Sequence, residues 1–529
     1  MIKHWLTSKI KEYYPDSEFD ILIPPDSKMG DYSVNLAFVL AKKNGTSPIE
    51  EGQKIVEKFK ADREFSDRFG EINFINPGFV NLKLAEDFLR DSIKDVFAMG
   101  AEFGDSDMGK GKKINLEFVS ANPTGPLTVG NARAASYGDT LGNVLKKAGY
   151  EVGKEYYIND VGVQVKKLTE SIRLRMLELK GEKVEFGADL YQGEYVKDIA
   201  KDFSGRGVSE QDIMAEAIKA MTDKAKITME ALGVTFDEWF SESKLHESGE
   251  VQAAFEELES KGHVVEEDGA KWLKISEDQK AVLIKSDGST TYLMNDIAYT
   301  KNKLERGFGK AVNIWGTDHH GDVPRLKAGV GALGYDASRL EILLHQLVML
   351  KQKDERLKIS KRAGNLVLLD DLLSEVGKDA IRFFFLTRDL NTHMEFDVEL
   401  AKEQSKQNPV FYIQYAFARL SSIAQKAGAV PEFDEALLQL LKEEEELKLL
   451  RDLIKFPDLV EEVAKNYHVH HLAQYALDLA SDFHKFYEKH RIIVDDASLQ
   501  AARLTLSEAV RKVLASCLDL MGLSAPEKM

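Results

Sequence analysis

Lys358, Lys361 and Arg362 crowd three cations into the stretch Lys358-Ile359-Ser360-Lys361-Arg362-Ala363-Gly364, which follows the apolar run Leu343 to Leu350. In a chain of formal net charge −17, so dense a basic cluster is either a solvated loop or a grip for an anion. Long ammonium groups such as those of Lys358 and Lys361 suit charge that builds on phosphate oxygens, and Ser360 adds a neutral donor. The anion reading gains from a complementary element upstream. Ser120-Ala121-Asn122-Pro123-Thr124-Gly125-Pro126 contains two prolines and a glycine, which forbid regular structure. Ile114 to Val119, before it, reads as a short buried strand. From Val129 onward, Ala132, Ala135, Leu141, Val144 and Leu145 recur at helical spacing. A strand, a glycine-bearing loop and a helix start together direct backbone N–H groups and the helix dipole at one point, where an anion is stabilised. Gly130, without a side chain, leaves room for a flat base or a phosphate.

The elements that must position these groups are legible in outline. At 529 residues the chain should hold three or so domains. Residues 1 to 106 form a first α+β unit, with a helix carrying Trp5, Ile10 and Tyr14 and strand-like sequence from Phe74 to Leu84. Asp105 to Lys113 reads as a linker. In residues 107–370, candidate strands Ile114–Val119, Tyr156–Ile158, Ala281–Ile284, Ala311–Trp315 and Ile342–Leu350 alternate with helical sequence. That alternation predicts an α/β, doubly wound parallel sheet of Rossmann-like type, with a mainly helical insertion at about 165–275. Residues 371–529 predict an all-helical domain, with runs at Leu437–Leu453, Ala473–Glu488 and Leu499–Met521.

Composition narrows the class. Hydrophobic residues make up 43% and charged residues 30%, as in ordinary soluble globular proteins. The single Cys517 excludes an intramolecular disulfide and a multi-cysteine zinc site, and fits a reducing compartment. No apolar signal core follows Met1, and no stretch is long enough to span a bilayer, so a cytoplasmic protein with no membrane partner is expected. Gly329-Val330-Gly331-Ala332-Leu333-Gly334 satisfies a dinucleotide-binding string, but it follows helical sequence rather than a strand and reads as a helix with its terminal glycine. His468, His470 and His471 read as surface histidines, and no protein-bound metal is expected.

Leu127-Thr128-Val129-Gly130-Asn131 stands where class I aminoacyl-tRNA synthetases carry His-x-Gly-His, and Lys358-Ile359-Ser360-Lys361 resembles their Lys-Met-Ser-Lys loop. The chain most resembles the bacterial arginyl-tRNA synthetase family over nearly its whole length. Glu117 to Pro126, Asn295-Asp296-Ile297-Ala298-Tyr299, Asp318-His319-His320-Gly321, Asn408-Pro409-Val410 with Tyr415-Ala416, and Gly522 to Met529 carry that resemblance. It implies a Rossmann-like catalytic domain, an N-terminal tRNA-contacting domain and a C-terminal anticodon-binding domain. The implied activity is ligation of L-arginine to tRNA(Arg) through arginyl-adenylate, with ATP as its Mg2+ complex, by a monomer that binds tRNA before activating arginine.

The resemblance assigns catalysis to Lys358, Ser360, Lys361, Thr128 and Asn131, and ATP binding to Pro123, Gly125, Thr128, Gly130, Asn131, Lys358 and Lys361. Arginine binding falls to Glu117, Asn122, Tyr292 and Asp296, with His319 and Gln164 as further candidates. Tyr292 and Asp296 are four apart at a helix start and share a face, and acidic oxygens match a guanidinium fork. Asn81 is the N-terminal candidate for tRNA contact; Tyr412, Gln414, Tyr415 and Arg419 are those of the helical domain, where aromatic and polar groups suit splayed bases. Thr128 and Asn131 depart from the family pattern, since a hydroxyl and an amide donate neutral hydrogen bonds but carry no charge. The alternatives are a catalytically impaired homologue that only binds tRNA, and a metal phosphoesterase of the Asp-His-His type, whose further aspartates would have to come from Asp105 and Asp107 in the linker.

Overall fold

The computed structural model describes residues 2–24, 27–203, 206–352, 355–357, 367–428 and 433–529. Lys358, Ser360 and Lys361 lie outside the described residues. The middle of the chain is organised by a five-stranded parallel sheet: β1 (Lys113–Glu117), β2 (Glu151–Ile158), β3 (Glu238–Ser241), β4 (Lys310–Gly316) and β5 (Leu340–His345). Their spatial order is β5-β4-β1-β2-β3. The chain moves outward from β1 in one direction, then returns to add β4 and β5 on the other side. The order reverses between β1 and β4, and a doubly wound sheet opens a ligand crevice beyond the carboxyl ends of its strands at that point.

Helix α1 (Val129–Lys147) connects β1 to β2, and α2 (Tyr292–Glu305) leads into β4. α1 lies tight on the sheet: a Cβ at Gly138 would fall 2.3 Å from the Phe118 ring. Behind it packs α3 (Leu369–Leu386). Asp139 of α1 is buried between Lys154 Nζ of β2 and Arg382 Nη2 of α3, each 2.6 Å away. A buried charge is tolerated only when paired in this way.

Two strand expectations need correction. Lys280–Ile284 belongs not to the parallel sheet but to a separate three-stranded antiparallel sheet with Val264–Glu267 and Ala270–Lys274. Ile342–Leu350 is not one strand: β5 ends at His345, and Val348–Gln352 starts a different sheet beside Met394–Asp397. Leu347 between them is 73% exposed, so the apolar run bends outward rather than continuing through the core. The insertion after β2 contains helices Val163–Leu179, Glu194–Asp202 and Glu210–Ala231 around their own small core, then supplies β3 as the sheet's edge strand. The Gly329–Gly334 string lies at the end of helix Val323–Ala332, with Gly334 at φ 92° just beyond it.

The first unit is a four-stranded antiparallel sheet of Ile21–Leu22, Tyr32–Val34, Phe69–Ile75 and Phe79–Leu84 with helices packed against it. Its Tyr32 Oη donates to Asp458 at 2.9 Å, which ties it to the C-terminal helices. Those helices are Pro409–Ala427, Glu444–Asn466, α4 (His470–Lys489) and Ala497–Leu520. No helix of the described residues is long and apolar enough to cross a membrane.

Candidate active site

The turn after β1 is strained and held from several sides. Val119 (φ 71°) and Ser120 (φ 38°) both enter the left-handed region, which costs a non-glycine residue about 1–3 kcal/mol. Ser120 Oγ donates to Glu117 Oε1 at 2.9 Å and accepts the Tyr157 N–H at 3.1 Å. The Tyr156 hydroxyl bonds both the N–H and the C=O of Ala121, at 3.1 and 3.0 Å. From the insertion, Tyr195 Oη donates to the Thr124 carbonyl at 2.8 Å. The proline- and glycine-bearing loop is thereby fixed above the crevice, with Pro123 buried and Gly125 beneath the Tyr195 ring.

α1 starts at this loop. Asn131 Oδ1 accepts from Thr128 N at 2.9 Å and from Thr128 Oγ1 at 3.0 Å, so Thr128 and Asn131 cap the helix together. Asn131 Nδ2 is left as a neutral donor. A Cβ on Gly130 would touch only Thr128 Oγ1, at 3.7 Å. The protein itself does not require glycine there, whereas a ligand resting on the helix start would. Thr128 also pairs with Leu368 across a β-bridge, and Leu369 N donates to Leu127 O at 3.0 Å. Leu368 and Leu369 therefore lie against the turn that opens α1.

Beside this anion-favouring corner is an acidic one. Glu117 ends β1, Glu242 follows β3, and Asp296 lies in the first turns of α2. Burial, then the negative charges of Glu117 and Glu242, push the Asp296 carboxyl well above the usual range, against the pull of Lys303. Glu242 is 2% exposed and its carboxyl is pushed up to about 7, by burial first, although Tyr157 and Asn295 Nδ2 (2.5 Å) favour its charged form. Lys303, at 0% exposure, is a buried cation facing the group, with Nζ 2.6 Å from Glu117 Oε2 and 3.0 Å from Asn313 Oδ1. α2 is anchored a turn further on, where Arg306 grips Glu155 with two bonds of 2.8 and 2.9 Å and Tyr299 donates to the same carboxylate. Three carboxyl groups stand against one ammonium, and two of them are held from ionising by burial and by each other, so a ligand cation is what would let them charge.

The remaining expected residues gather at the rim. Tyr292, 58% exposed, stands over Glu242 and Asp296. Asn122 Nδ2 donates to Gln164 Oε1 at 2.8 Å, and Tyr191 Oη reaches the same oxygen at 3.4 Å. His319, just past β4, packs at 5.7 Å from the Trp315 ring with Nδ1 3.5 Å from Asp322. Sequence reasoning missed Glu242, Lys303, Tyr157 and Tyr195. Glu242 was hidden because β3 lies inside what reads as a helical insertion; the apolar pair in Glu238-Trp239-Phe240-Ser241 was its only signal.

Two tRNA candidates need correction. Asn81 is buried in a central strand, where its Oδ1 accepts from Ser33 Oγ at 2.7 Å. Gln414 is 9% exposed, and its amide donates to Asp379 at 2.8 Å and to the Ser524 carbonyl at 3.0 Å. The Asn81 oxygen and the Gln414 nitrogen are thus engaged in internal bonds. Tyr412 packs on His484, with ring centroids 4.6 Å apart. Tyr415 and Arg419 line an open groove of about 820 Å³ together with Lys426, Tyr487, Arg491 and Lys528. The Arg419 guanidinium lies 4.6 Å from the Tyr415 ring and 4.7 Å from that of Tyr487.

A parallel sheet in this order, with a signature turn and helix start at its switch point, is the architecture of class I aminoacyl-tRNA synthetases. The family model for "tRNA synthetases class I (R), catalytic domain" matches residues 92–393. The models for "Arginyl tRNA synthetase N terminal domain" and "DALR anticodon binding domain" match residues 1–84 and 413–529. An arginine–tRNA ligase of Listeria monocytogenes is 42% identical, with 96% of this chain and 94% of that one covered. One of Carboxydothermus hydrogenoformans is 41% identical, with 98% and 96% covered. The chain belongs to the arginyl-tRNA synthetase family. The arginyl-tRNA synthetase structure of Thermus thermophilus, 22% identical, shares the fold with a TM-score of 0.79 and 100% of both chains covered.

Proposed function

We propose that this protein ligates L-arginine to tRNA(Arg). The arginine α-carboxylate attacks the α-phosphate of ATP, pyrophosphate leaves, and a ribose hydroxyl at the tRNA 3′ end then takes the arginyl group from the adenylate and releases AMP. The observation that carries this reading is the cluster of Glu117, Glu242 and Asp296, in which Lys303 pairs Glu117 while the other two carboxyls are held up until a further cation arrives, beside the helix start that favours phosphate. A guanidinium offers donors in a rigid fork to just such oxygens. In this reading Asp296, Glu242 and Tyr292 hold the guanidinium, while Asn122, Gln164 and His319 orient the amino acid's backbone end.

ATP enters as its Mg2+ complex over Pro123, Gly125 and Gly130, with Thr128 and Asn131 shaping the helix start. Lys358 and Lys361, helped by Ser360, draw charge off the leaving pyrophosphate. Tyr415 and Arg419, with the basic groove around them, take anticodon bases by stacking. The first 106 residues contact the body of the tRNA, residues 107–370 carry the chemistry and residues 371–529 read the anticodon. We place the protein in the cytoplasm as a monomer. Aminoacylation of tRNA(Arg) with radiolabelled arginine, beside lysine and citrulline, tests the reading. Charging with arginine alone supports it; charging with lysine, or none in the presence of ATP and tRNA, removes it.

A further inference from the structure

Along α1, residues from three parts of the chain converge. Arg133 of α1 is fully buried, and its guanidinium donates to the carbonyls of Gln346 (3.1 Å), Asp389 (2.7 Å) and Thr392 (2.9 Å). These bonds fix the backbone of the turn that follows α3. The Tyr137 hydroxyl, one turn along α1, donates to the Tyr467 carbonyl at 2.6 Å and so fixes the backbone just before α4. Two rigidly held backbones thus face each other, and each presents metal-ligating side chains.

Asp389 Oδ2 lies 2.6 Å from His468 Nδ1 and 3.6 Å from His470 Nδ1. All three ligand atoms fall within 4.8 Å of one another, the one such group found among the described residues. The Nδ1 atom of His470 is buried without a hydrogen-bond partner, which is costly unless something else takes up its lone pair. Imidazole nitrogens and carboxylate oxygens are ordinary ligands of transition metals.

We propose that Asp389, His468 and His470 form a binding site for one divalent transition-metal ion of the zinc class, joining the turn after α3 to the start of α4. Bonds of about 2.0–2.2 Å from a tetrahedral ion put neighbouring ligand atoms roughly 3.3 Å apart. The 3.6 Å pair already meets that spacing; the 2.6 Å pair is a hydrogen bond and opens by less than an ångström. The Nδ1 proton of His468 is displaced, to Nε2 of a neutral ring or to solvent from an imidazolium, and water completes the coordination. His471 stays outside, with Nδ1 directed to Glu462 at 3.7 Å. Two imidazoles and one carboxylate suit zinc, cobalt or nickel rather than magnesium or calcium. The inference does not depend on the catalytic reading.

The test is titration of the full-length, chelator-treated protein with Co2+ and then Zn2+, followed by calorimetry and by the visible absorption of bound Co2+. Saturation at one ion per chain with micromolar or tighter affinity, and displacement of Co2+ by Zn2+, are expected. Asp389→Ala and His470→Ala should each weaken binding at least about tenfold, while His471→Ala keeps it. No saturable binding at millimolar Co2+, or undiminished binding by Asp389→Ala, overturns the site. Should a variant fail to fold, X-ray absorption of the Zn2+-loaded wild type decides: two imidazoles and a carboxylate support the proposal, and a shell without imidazole refutes it.

Discussion

Lys303 Nζ sits 2.6 Å from Glu117 Oε2, and the ammonium is closed off from solvent. α2 is thereby bolted to the carboxyl end of β1, so that Asp296 and Tyr292 are carried to the crevice by the same helix that neutralises Glu117. Removing one partner of such a pair strands a buried charge and costs about 3–5 kcal/mol, whereas removing both costs much less. Lys303→Met should therefore lower the unfolding free energy by about that amount, and Lys303→Met/Glu117→Gln should recover most of it. Urea unfolding of the two variants checks the pair; equal stability of both would show that it is not formed.

Asp296 is half-buried, and two like charges face it. A cationic ligand relieves that repulsion, so the charged form belongs to the bound state. Charge-assisted hydrogen bonds contribute about 1.5–3 kcal/mol, or roughly ten- to hundredfold in an equilibrium constant. Asp296→Asn should raise the arginine KM by about that factor, with the ATP KM within about twofold of wild type. Steady-state aminoacylation separates the two constants.

Glu242 gives the pocket a pH dependence with a definite sign. Its carboxyl is raised from 4.5 to about 7, with burial the largest cause. Below pH 7 the free protein holds a proton there, and a bound guanidinium must expel it. The arginine KM should fall as pH rises through about 7, by at most about tenfold per pH unit. Stability moves the other way. The folded chain binds more protons than the unfolded one between 4.5 and 7, so this group's stabilising share is present below 4.5 and is lost as pH rises through 7. Glu242→Gln should flatten both profiles, which KM measurements and thermal unfolding across that range read directly.

These side chains differ in how far the chain alone reveals them. β1, the loop and α1 are legible because an apolar run, two prolines with a glycine, and a helical period follow one another without overlap. The Tyr292/Asp296 pair is legible because helical spacing brings positions four apart onto one face. β3 is not: only four residues long, at the sheet's edge, after a helical excursion, it carries no periodic signal, and Glu242 goes unseen with it. Ile342–Leu350 misleads for the opposite reason. Its apolar residues serve two different sheets, and composition cannot show the outward bend at Leu347. Gln414 and Asn81 mislead because an amide looks the same in sequence whether it reads a base or ties two strands together. Side-chain commitments made across hundreds of residues, such as Lys303 to Glu117 or Asp389 to His468, are fixed only by the tertiary fold.

Gln414 and Arg419 stand one and a half turns apart on helix Pro409–Ala427 and should respond oppositely to truncation. The buried Gln414 amide joins Asp379 of α3 to the Ser524 carbonyl of the C-terminal tail, so Gln414→Ala removes both bonds and the packing they hold. That costs about 1–3 kcal/mol of stability and should leave the tRNA KM unchanged at temperatures where the variant is folded. Arg419 sits between the Tyr415 and Tyr487 rings at the open groove, where Lys426, Arg491 and Lys528 add positive charge. Arg419→Ala removes a cation stacked on two rings at the edge of the groove, at little cost in stability. Base–aromatic stacking contributes about 1–3 kcal/mol per base, so the tRNA KM should rise about fivefold to a hundredfold and the salt dependence of binding should become shallower. Filter binding of tRNA(Arg) at two ionic strengths, with thermal unfolding of both variants, distinguishes a base-reading groove from a packing helix. A tRNA defect in Gln414→Ala, or none in Arg419→Ala, would reverse the assignment.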